Sequence, residues 1–258
     1  MEVRKKVGKI IMGKVVSIGK QNFASLREND CFYIDKSELI REWWEGQDEI
    51  TLITRPRLWG KTLNMSMLNY YFSNQYAKKK QLFEGLSIWN DEKYRSLQGS
   101  YPVIFLSFAS IKGSNYNDAR DGIIMAINEA YSEHRYLLES TELTEGERKC
   151  FEELDNYAKN PGAKESVFSD LNNLNVVTST SLEYETSFGF TEEEVFTALD
   201  NLGMEEQKEI VKSWYDGFVF GNEKDIYNPW SITNYLDKKQ VRAYWADTSS
   251  NSLISRLI

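Results

Sequence analysis

The sequence predicts an α/β domain followed by a small, mainly helical lid, and three observations carry that reading. A β-rich run at 50–54 (Ile-Thr-Leu-Ile-Thr) leads through a short loop into Gly60-Lys61-Thr62 and a helical pattern. A second run at 101–108 (Tyr-Pro-Val-Ile-Phe-Leu-Ser-Phe) has the continuous hydrophobicity of a strand covered on both faces, as in a parallel sheet. From about residue 180 the chain turns to short helices separated by Asp-Gly and Asn-Pro breaks.

The elements follow in order. Residues 22–28 suit a short helix and 31–34 an extended piece. Residues 36–44 read as a helix whose apolar face is Leu39, Ile40, Trp43 and Trp44, ended by Gly46. After the 50–54 strand and a loop holding Pro56, residues 61–73 form a helix, with Leu63, Met67, Leu68 and Tyr71 at helical spacing. A long helix is expected at 117–138, with a stripe of Ile123, Ile124, Ile127, Tyr131 and Leu138. Thr144-Glu-Gly-Glu147 has the form of a capping box for a helix through Tyr157, and Asn160-Pro-Gly162 marks a break. Residues 167–174 are polar and Asn-rich, and Val176-Val177 suit a short strand. Thr191-Glu-Glu-Glu194 is a second capping box, opening a helix to about Leu202. A helix at 205–215 closes at Asp216-Gly217, and Tyr227-Asn-Pro-Trp230 precedes a last one at 231–236.

Bulk properties exclude several functions. A net charge of −8 argues against a dedicated nucleic-acid surface. Cys31 and Cys150 lack metal-ligand spacing and read as reduced thiols of a cytoplasmic protein. The single histidine, His134, sits among charges and is expected to be solvated, so His-based metal sites and Ser-His-Asp triads are set aside. No stretch approaches the ~20 apolar residues of a membrane span. The start is basic and then apolar, but Lys9, Gly13 and Lys14 break it, so it reads as an arm or weak strand and not as a signal peptide.

The chemistry lies in the segment from Ile50 to Leu63. Strand, loop and Gly60-Lys61-Thr62 at a helix start is the order a phosphate-binding loop needs. Lysine reaches the β- and γ-phosphates, the Thr hydroxyl binds Mg²⁺, and Gly60 allows close backbone approach. The match is incomplete, because G-x-x-x-x-G-K-[ST] asks for glycine at position 55, where the chain has Arg55. A helix start with a solvated lysine fits the same tripeptide.

Further segments bear on that choice. Arg55-Pro-Arg-Leu-Trp-Gly-Lys-Thr62 resembles the variant P-loop of the bacterial AAA-ATPase-like family, in which the first glycine is replaced and an aromatic, here Trp59, precedes Gly-Lys-Ser/Thr. Phe23–Arg27 with Tyr33-Ile-Asp-Lys-Ser37, the 101–108 run, Phe168–Leu174, Phe188–Val195, Trp214–Phe218 and Tyr227–Trp230 are similar to the family's other landmarks. The resemblance runs from about residue 20 to the end. It implies a P-loop NTPase-like fold, ATP and Mg²⁺ as cofactors, and a nucleotide site at Arg55, Arg57, Trp59, Gly60, Lys61 and Thr62, with Thr62 on the metal.

Members place a strand ending in Asp-Glu, the Walker B, between the long helix and the Phe-Ser-x-Leu-Asn-Asn motif. Here Asn156-Tyr-Ala-Lys-Asn-Pro-Gly162 runs directly into Lys164-Glu-Ser-Val-Phe168, and no apolar run followed by paired acids occurs in the sequence. A reduced parallel sheet is therefore expected, in a P-loop domain at 1–178 with a helical lid at 179–258. The nuclease-like domain that often follows in the family would lie beyond Ile258. The function expected is ATP binding without efficient hydrolysis, because phosphoryl transfer depends on placed charges and an oriented water. The alternative is a non-enzymatic interaction module with a vestigial loop. No protein partner is implied.

Smaller signals stay open. Arg55 and Arg57 either add charge to the phosphate site or pair with the surplus acids. Asp35-Lys36 lies near the nucleotide, or Asp35 caps the following helix. Lys78 to Lys80 is read as a solvated helix end, and the aromatics at 214–218 and 227–230 as lid core.

Overall fold

The computed structural model describes residues 9–11, 15–109, 111, 115–157 and 174–246. The elements in chain order are β1 (Ile10–Ile11), α1 (Phe23–Glu28), β2 (Tyr33–Ile34), α2 (Glu38–Gly46), β3 (Ile50–Ile53), α3 (Lys61–Phe72) and α4 (Glu92–Leu97). Then come α5 (Tyr116–Glu133), α6 (Glu145–Tyr157), β4 (Leu174–Val177), β5 (Phe190–Thr191) and α7 (Glu192–Asn201). The chain continues through α8 (Lys208–Tyr215), β6 (Phe218–Phe220), β7 (Glu223–Tyr227) and α9 (Pro229–Lys238). It is an α/β protein with small sheets, divided into a unit of Met1–Pro102 with Asn172–Ile258 and a unit of Val103–Leu171. No described helix is long and apolar enough to cross a membrane.

Local chemistry sets the helix starts in the first unit. The Asn22 side chain accepts from Ser25 N at 2.8 Å to open α1, and Asn228 accepts from Ser231 N at 3.1 Å to open α9, with Pro229 in its first turn. Thr191 and Glu194 form the complete capping box of α7. One aromatic core gathers on α1 and α3: Phe23 stacks on Phe83 at 5.2 Å and meets Tyr33 edge-on at 5.7 Å, and Tyr71 meets Phe83 at 5.2 Å. A second core joins Val195, Leu199, Val211, Tyr215, Tyr227 and Ile232 from α7, α8, β7 and α9 to Ile34 of β2.

Three small sheets replace any large one among the described residues. β1 pairs antiparallel with β2, so the amino-terminal arm does form the weak strand expected of it. β3 pairs parallel with β4 from Ile50↔Leu174 to Ile53↔Val177, and Thr54 N prolongs the ladder to Val177 O at 3.0 Å. β3–β4 is the one parallel strand pair among the described residues. Val177 is fully buried, yet the registered pair Leu52 and Val176 is exposed.

The carboxy-terminal segment holds α7, α8 and α9 and, besides these helices, an antiparallel sheet of β5, β7 and β6 in that order. Its hairpin turns at Gly221-Asn222, where Gly221 takes φ 56, a left-handed value that glycine adopts without strain. One expectation needs correction: the run expected as a strand at 101–108 enters no ladder among the described residues, and Ile104, Leu106 and Phe108 are exposed, Ile104 at 70%. An apolar run becomes a strand only where a neighbour takes up its backbone N–H and C=O groups. Here only Tyr101, at its start, makes an isolated parallel bridge, to Ser73.

The second unit is built on α5 and α6. Of the expected stripe, Ile123 is exposed and Ile124, Ile127 and Tyr131 are half-buried, while Leu138 lies beyond the end of α5; Ala130 is the buried residue of the helix. Tyr131 meets Phe151 of α6 edge-on at 4.9 Å, and Arg135 pairs with Asp155. Thr144 and Glu147 make the reciprocal capping bonds, at 2.9 and 3.3 Å, that their spacing predicts. His134 corrects the expectation of a solvated ring. It is buried, with Nδ1 2.8 Å from Ala130 O and Nε2 2.9 Å from Val103 O, so it closes the end of α5. The Asn160-Pro-Gly break and most of the Asn-rich 167–174 stretch lie outside the described residues.

Candidate functional site

The site is the loop from Thr54 to Gly60, which joins β3 to α3. Gly60 is the cap residue of α3, at φ 79 and ψ 4, and no side chain among the described residues caps this helix. Its first amide N–H groups therefore point out of the helix end without a side-chain partner, in the positive field of the helix dipole. A Cβ at Gly60 would meet nothing within 4 Å, so the space beside the helix end is open. Leu58 also lies left-handed, at φ 66, a value uncommon for a residue with a Cβ. The carbonyls at the start of the loop come within reach of the first residue of α3: the Lys61 Nζ donates to the carbonyls of Arg55 and Pro56, both at 2.6 Å. Partial burial and the neighbouring Arg57 hold the Lys61 ammonium below its ordinary pKa. Arg57 and Thr62 are exposed beside it.

Arg55 and Trp59 point the other way. Arg55 is 4% exposed, and its guanidinium donates from Nη1 to Thr178 O and lies 4.4 Å from the centre of the Phe220 ring. Its Nη2 is 3.5 Å from Tyr184 O, and its Nε finds no acceptor among the described residues. Burial lowers its pKa. Trp59 is 2% exposed and meets Phe218 and Phe220 edge-on, at 4.7 and 4.8 Å. The structure therefore brings Gly60, Lys61, Thr62 and Arg57 together at the open side of the loop and sets Arg55 and Trp59 beneath it.

The segment 178–189, which follows β4, forms the floor of the loop, and polar side chains clasp it. Asn64 donates to Ser187 O at 2.8 Å from the first turn of α3. Glu42 of α2 accepts from Tyr184 N at 2.5 Å and Ser187 Oγ at 3.3 Å. Lys36 donates to Thr186 O at 2.9 Å and to both Glu194 oxygens, at 2.8 and 2.7 Å. Asp35 does not cap α2 as expected, since the cap residue is Ser37 and, among the described residues, no side chain caps the helix start; it accepts instead from Ser37 N at 2.8 Å and from Ser87 N and Oγ at 2.6 Å. Apart from Ser37, none of these partners is legible in the sequence, because each lies far along the chain.

Burial raises the Glu42 carboxyl above its usual range despite the two hydrogen bonds. A raised folded pKa means that the charged form is disfavoured on folding. Its stabilising share is complete below the unfolded pKa and is lost as pH rises through the folded value. Glu42→Gln is accordingly expected to raise the melting temperature at about pH 7.5 and to have no such effect at about pH 3, below the unfolded pKa, where the carboxyl is largely protonated in both states. Thermal melts at the two pH values check this, and a gain confined to the acid side would contradict it.

Carboxylates near enough to share an ion occur at Glu192, Asp216 and Asp225, whose oxygens lie within 4.8 Å of one another. The Lys212 ammonium pairs with Glu192, and the Tyr227 hydroxyl donates to Glu192 at 3.2 Å. Burial raises the Asp216 pKa, with Asp225 adding to it.

Comparison with known proteins places the chain. The family described as predicted AAA-ATPase, AAA-ATPase-like, matches residues 17–171, more than half of the 258. A curated relative, an uncharacterized protein in the vnfD 5′ region of Azotobacter chroococcum mcd 1, is 24% identical over 304 residues, covering 95% of this chain and 56% of its own length. The chain thus spans about half the length of that relative. The matched span exceeds the whole chain by 46 residues (304 less 258), so at least that many of its positions have no counterpart here. No solved structure matches. The chain belongs to the AAA-ATPase-like family.

Proposed function

We propose that the Thr54–Gly60 loop, in a P-loop NTPase-like domain, binds the phosphates of ATP, with Gly60, Lys61 and Thr62 in direct contact. The observation that carries this reading is Lys61 at an uncapped helix end, directly after a strand of a parallel pair, with its ammonium folded onto the loop's own carbonyls. Those carbonyls are a substitute for an anion. A triphosphate would offer the ammonium full negative charges, and it would take up the free amide groups of the α3 start. The open space beside Gly60 accommodates the close approach. Thr62, exposed in the first turn, would hold Mg²⁺, which supplies charge neutralisation at the phosphates when bound. Arg57 adds positive charge at the mouth, and Arg55 and Trp59 act from beneath as supports.

Hydrolysis is expected to be weak. Both described strands of the parallel pair lead into uncharged or basic residues: β3 into Thr54-Arg55 and β4 into Thr178-Ser179. The relative's surplus of at least 46 positions and the exposed Leu52–Val176 pair support a chain without the strands that would carry the Walker B acids. With no carboxylate at the end of either described strand to orient water, the loop holds nucleotide and does not turn it over.

Calorimetric titration with Mg²⁺-ATP tests the reading. Wild type is expected to bind, Lys61→Ala to lose binding by on the order of a hundred-fold or more, and phosphate release to stay at the level of Lys61→Ala. Equal affinity in the two proteins would favour an interaction module with a vestigial loop. Phosphate release that depends on Lys61 would reveal an acid in the role assigned to none here.

A further inference from the structure

We propose that Arg55 and Trp59 are positioning residues through which the β6–β7 hairpin, more than 150 residues downstream, sets the shape of the phosphate loop. For its functional consequence the inference rests on the nucleotide reading above; its geometry stands without it. Arg55 and Trp59 bracket the loop, and both seat on one side chain, Phe220 of β6. The guanidinium faces the Phe220 ring at 4.4 Å, and the indole meets the same ring edge-on at 4.8 Å. Trp59, Phe220 and Ile226 form a buried cluster of their own, apart from the large core of α7, α8 and α9.

The sequence between the anchors explains why this matters. Only Pro56, Arg57 and Leu58 bridge them; Pro56 and Arg57 are exposed, and Leu58 is held left-handed at φ 66. A bridge of three residues with one ring under both ends has few conformations available. The Lys61 ammonium reads the resulting arch directly, since its acceptors are the carbonyls of Arg55 and Pro56. A buried guanidinium also needs its partners, because a desolvated cation without a ring face or carbonyls is costly. If the hairpin withdraws, Arg55 follows water outward, the arch opens, and Lys61 loses its preset position. Position 55, where the common phosphate-loop pattern has a flexible glycine, is thus a fastening here.

The experiment compares Phe220→Leu, which keeps apolar volume and removes the ring, with Leu199→Ala, a change in the large core that leaves the hairpin anchor intact. Hydrogen exchange of the amides of residues 55–62 is measured without nucleotide, together with Mg²⁺-ATP affinity and the melting temperature. Phe220→Leu is expected to speed exchange at 55–62 and weaken ATP affinity, each by on the order of ten-fold. Leu199→Ala lowers the melting temperature without either local effect. Arg55→Met provides a second variant should Phe220→Leu fail to fold, with the same result expected. Exchange at 55–62 that rises no more in these variants than in Leu199→Ala would overturn the inference, as would faster exchange with unchanged ATP affinity. A wild type that binds no Mg²⁺-ATP would remove the nucleotide reading instead, and the exchange comparison would still decide the positioning.

Discussion

Lys36→Met is expected to cost the fold about 3–5 kcal/mol, the range for breaking one side of a buried ion pair. Lys36 and Glu194 are 7% and 3% exposed, and the ammonium lies 2.8 and 2.7 Å from the two carboxylate oxygens. Methionine fills the space of the lysine stem but leaves the Glu194 charge buried with little beyond the Thr191 N–H at 2.8 Å to solvate it. The loss comes from that orphaned charge more than from the missing attraction, and a second substitution separates the two. Glu194→Gln keeps an acceptor for the capping box of α7, in which glutamine serves as well as glutamate. Lys36→Met with Glu194→Gln is therefore expected to recover most of the stability. Urea denaturation of the single and double variants checks this. A single variant within about 1 kcal/mol of wild type would mean that water reaches the pair.

That pair also marks where sequence reading stops. Features that depend on a few neighbouring residues are legible: the short helix near Asn22, the helix after Asn228, the two capping boxes, and the passage from β3 through the loop to Lys61. Each is decided by chemistry within one turn of the chain. The hairpin at 218–227 was legible in principle, since Phe-Val-Phe, then Gly221-Asn222, then Glu-Lys-Asp-Ile-Tyr is a two-residue turn between β-prone runs. It was hidden by the helices on either side. The 101–108 run failed for the opposite reason, because its composition is that of a strand but a strand needs a partner. Arg55 shows the same limit at the site. Its place in the loop suggests phosphate, and the rings and carbonyls that turn it inward come from residues 178–220, which no local pattern ties to it.

Gly189→Ala is expected to cost about 2–5 kcal/mol, combining overpacking with a backbone value unsuited to alanine. Gly189 holds φ +89, and a Cβ there would lie 2.6 Å from both Ile226 Cγ2 and Trp59 Cζ3, and 2.9 Å from Trp59 Cε3. None of these atoms is the free end of a flexible chain. Ile226 is fully buried in β7, and Trp59 is wedged against Phe218 and Phe220. The methyl must therefore displace the indole, and the indole carries one end of the phosphate loop. Glycine at this position is what lets the floor segment run directly beneath Trp59. The two contributions separate in a cycle with Trp59→Phe. Phenylalanine lacks the outer ring of the indole, so it leaves a cavity opposite glycine and makes room opposite alanine. The two substitutions together are expected to cost less than the sum of their separate costs by about 1–2 kcal/mol, the size usual for residues in contact. The remainder belongs to the left-handed backbone, which no change at position 59 relieves. Strict additivity in denaturant melts would mean that the indole does not lie over Gly189, and the support assigned to the loop would lose its central contact.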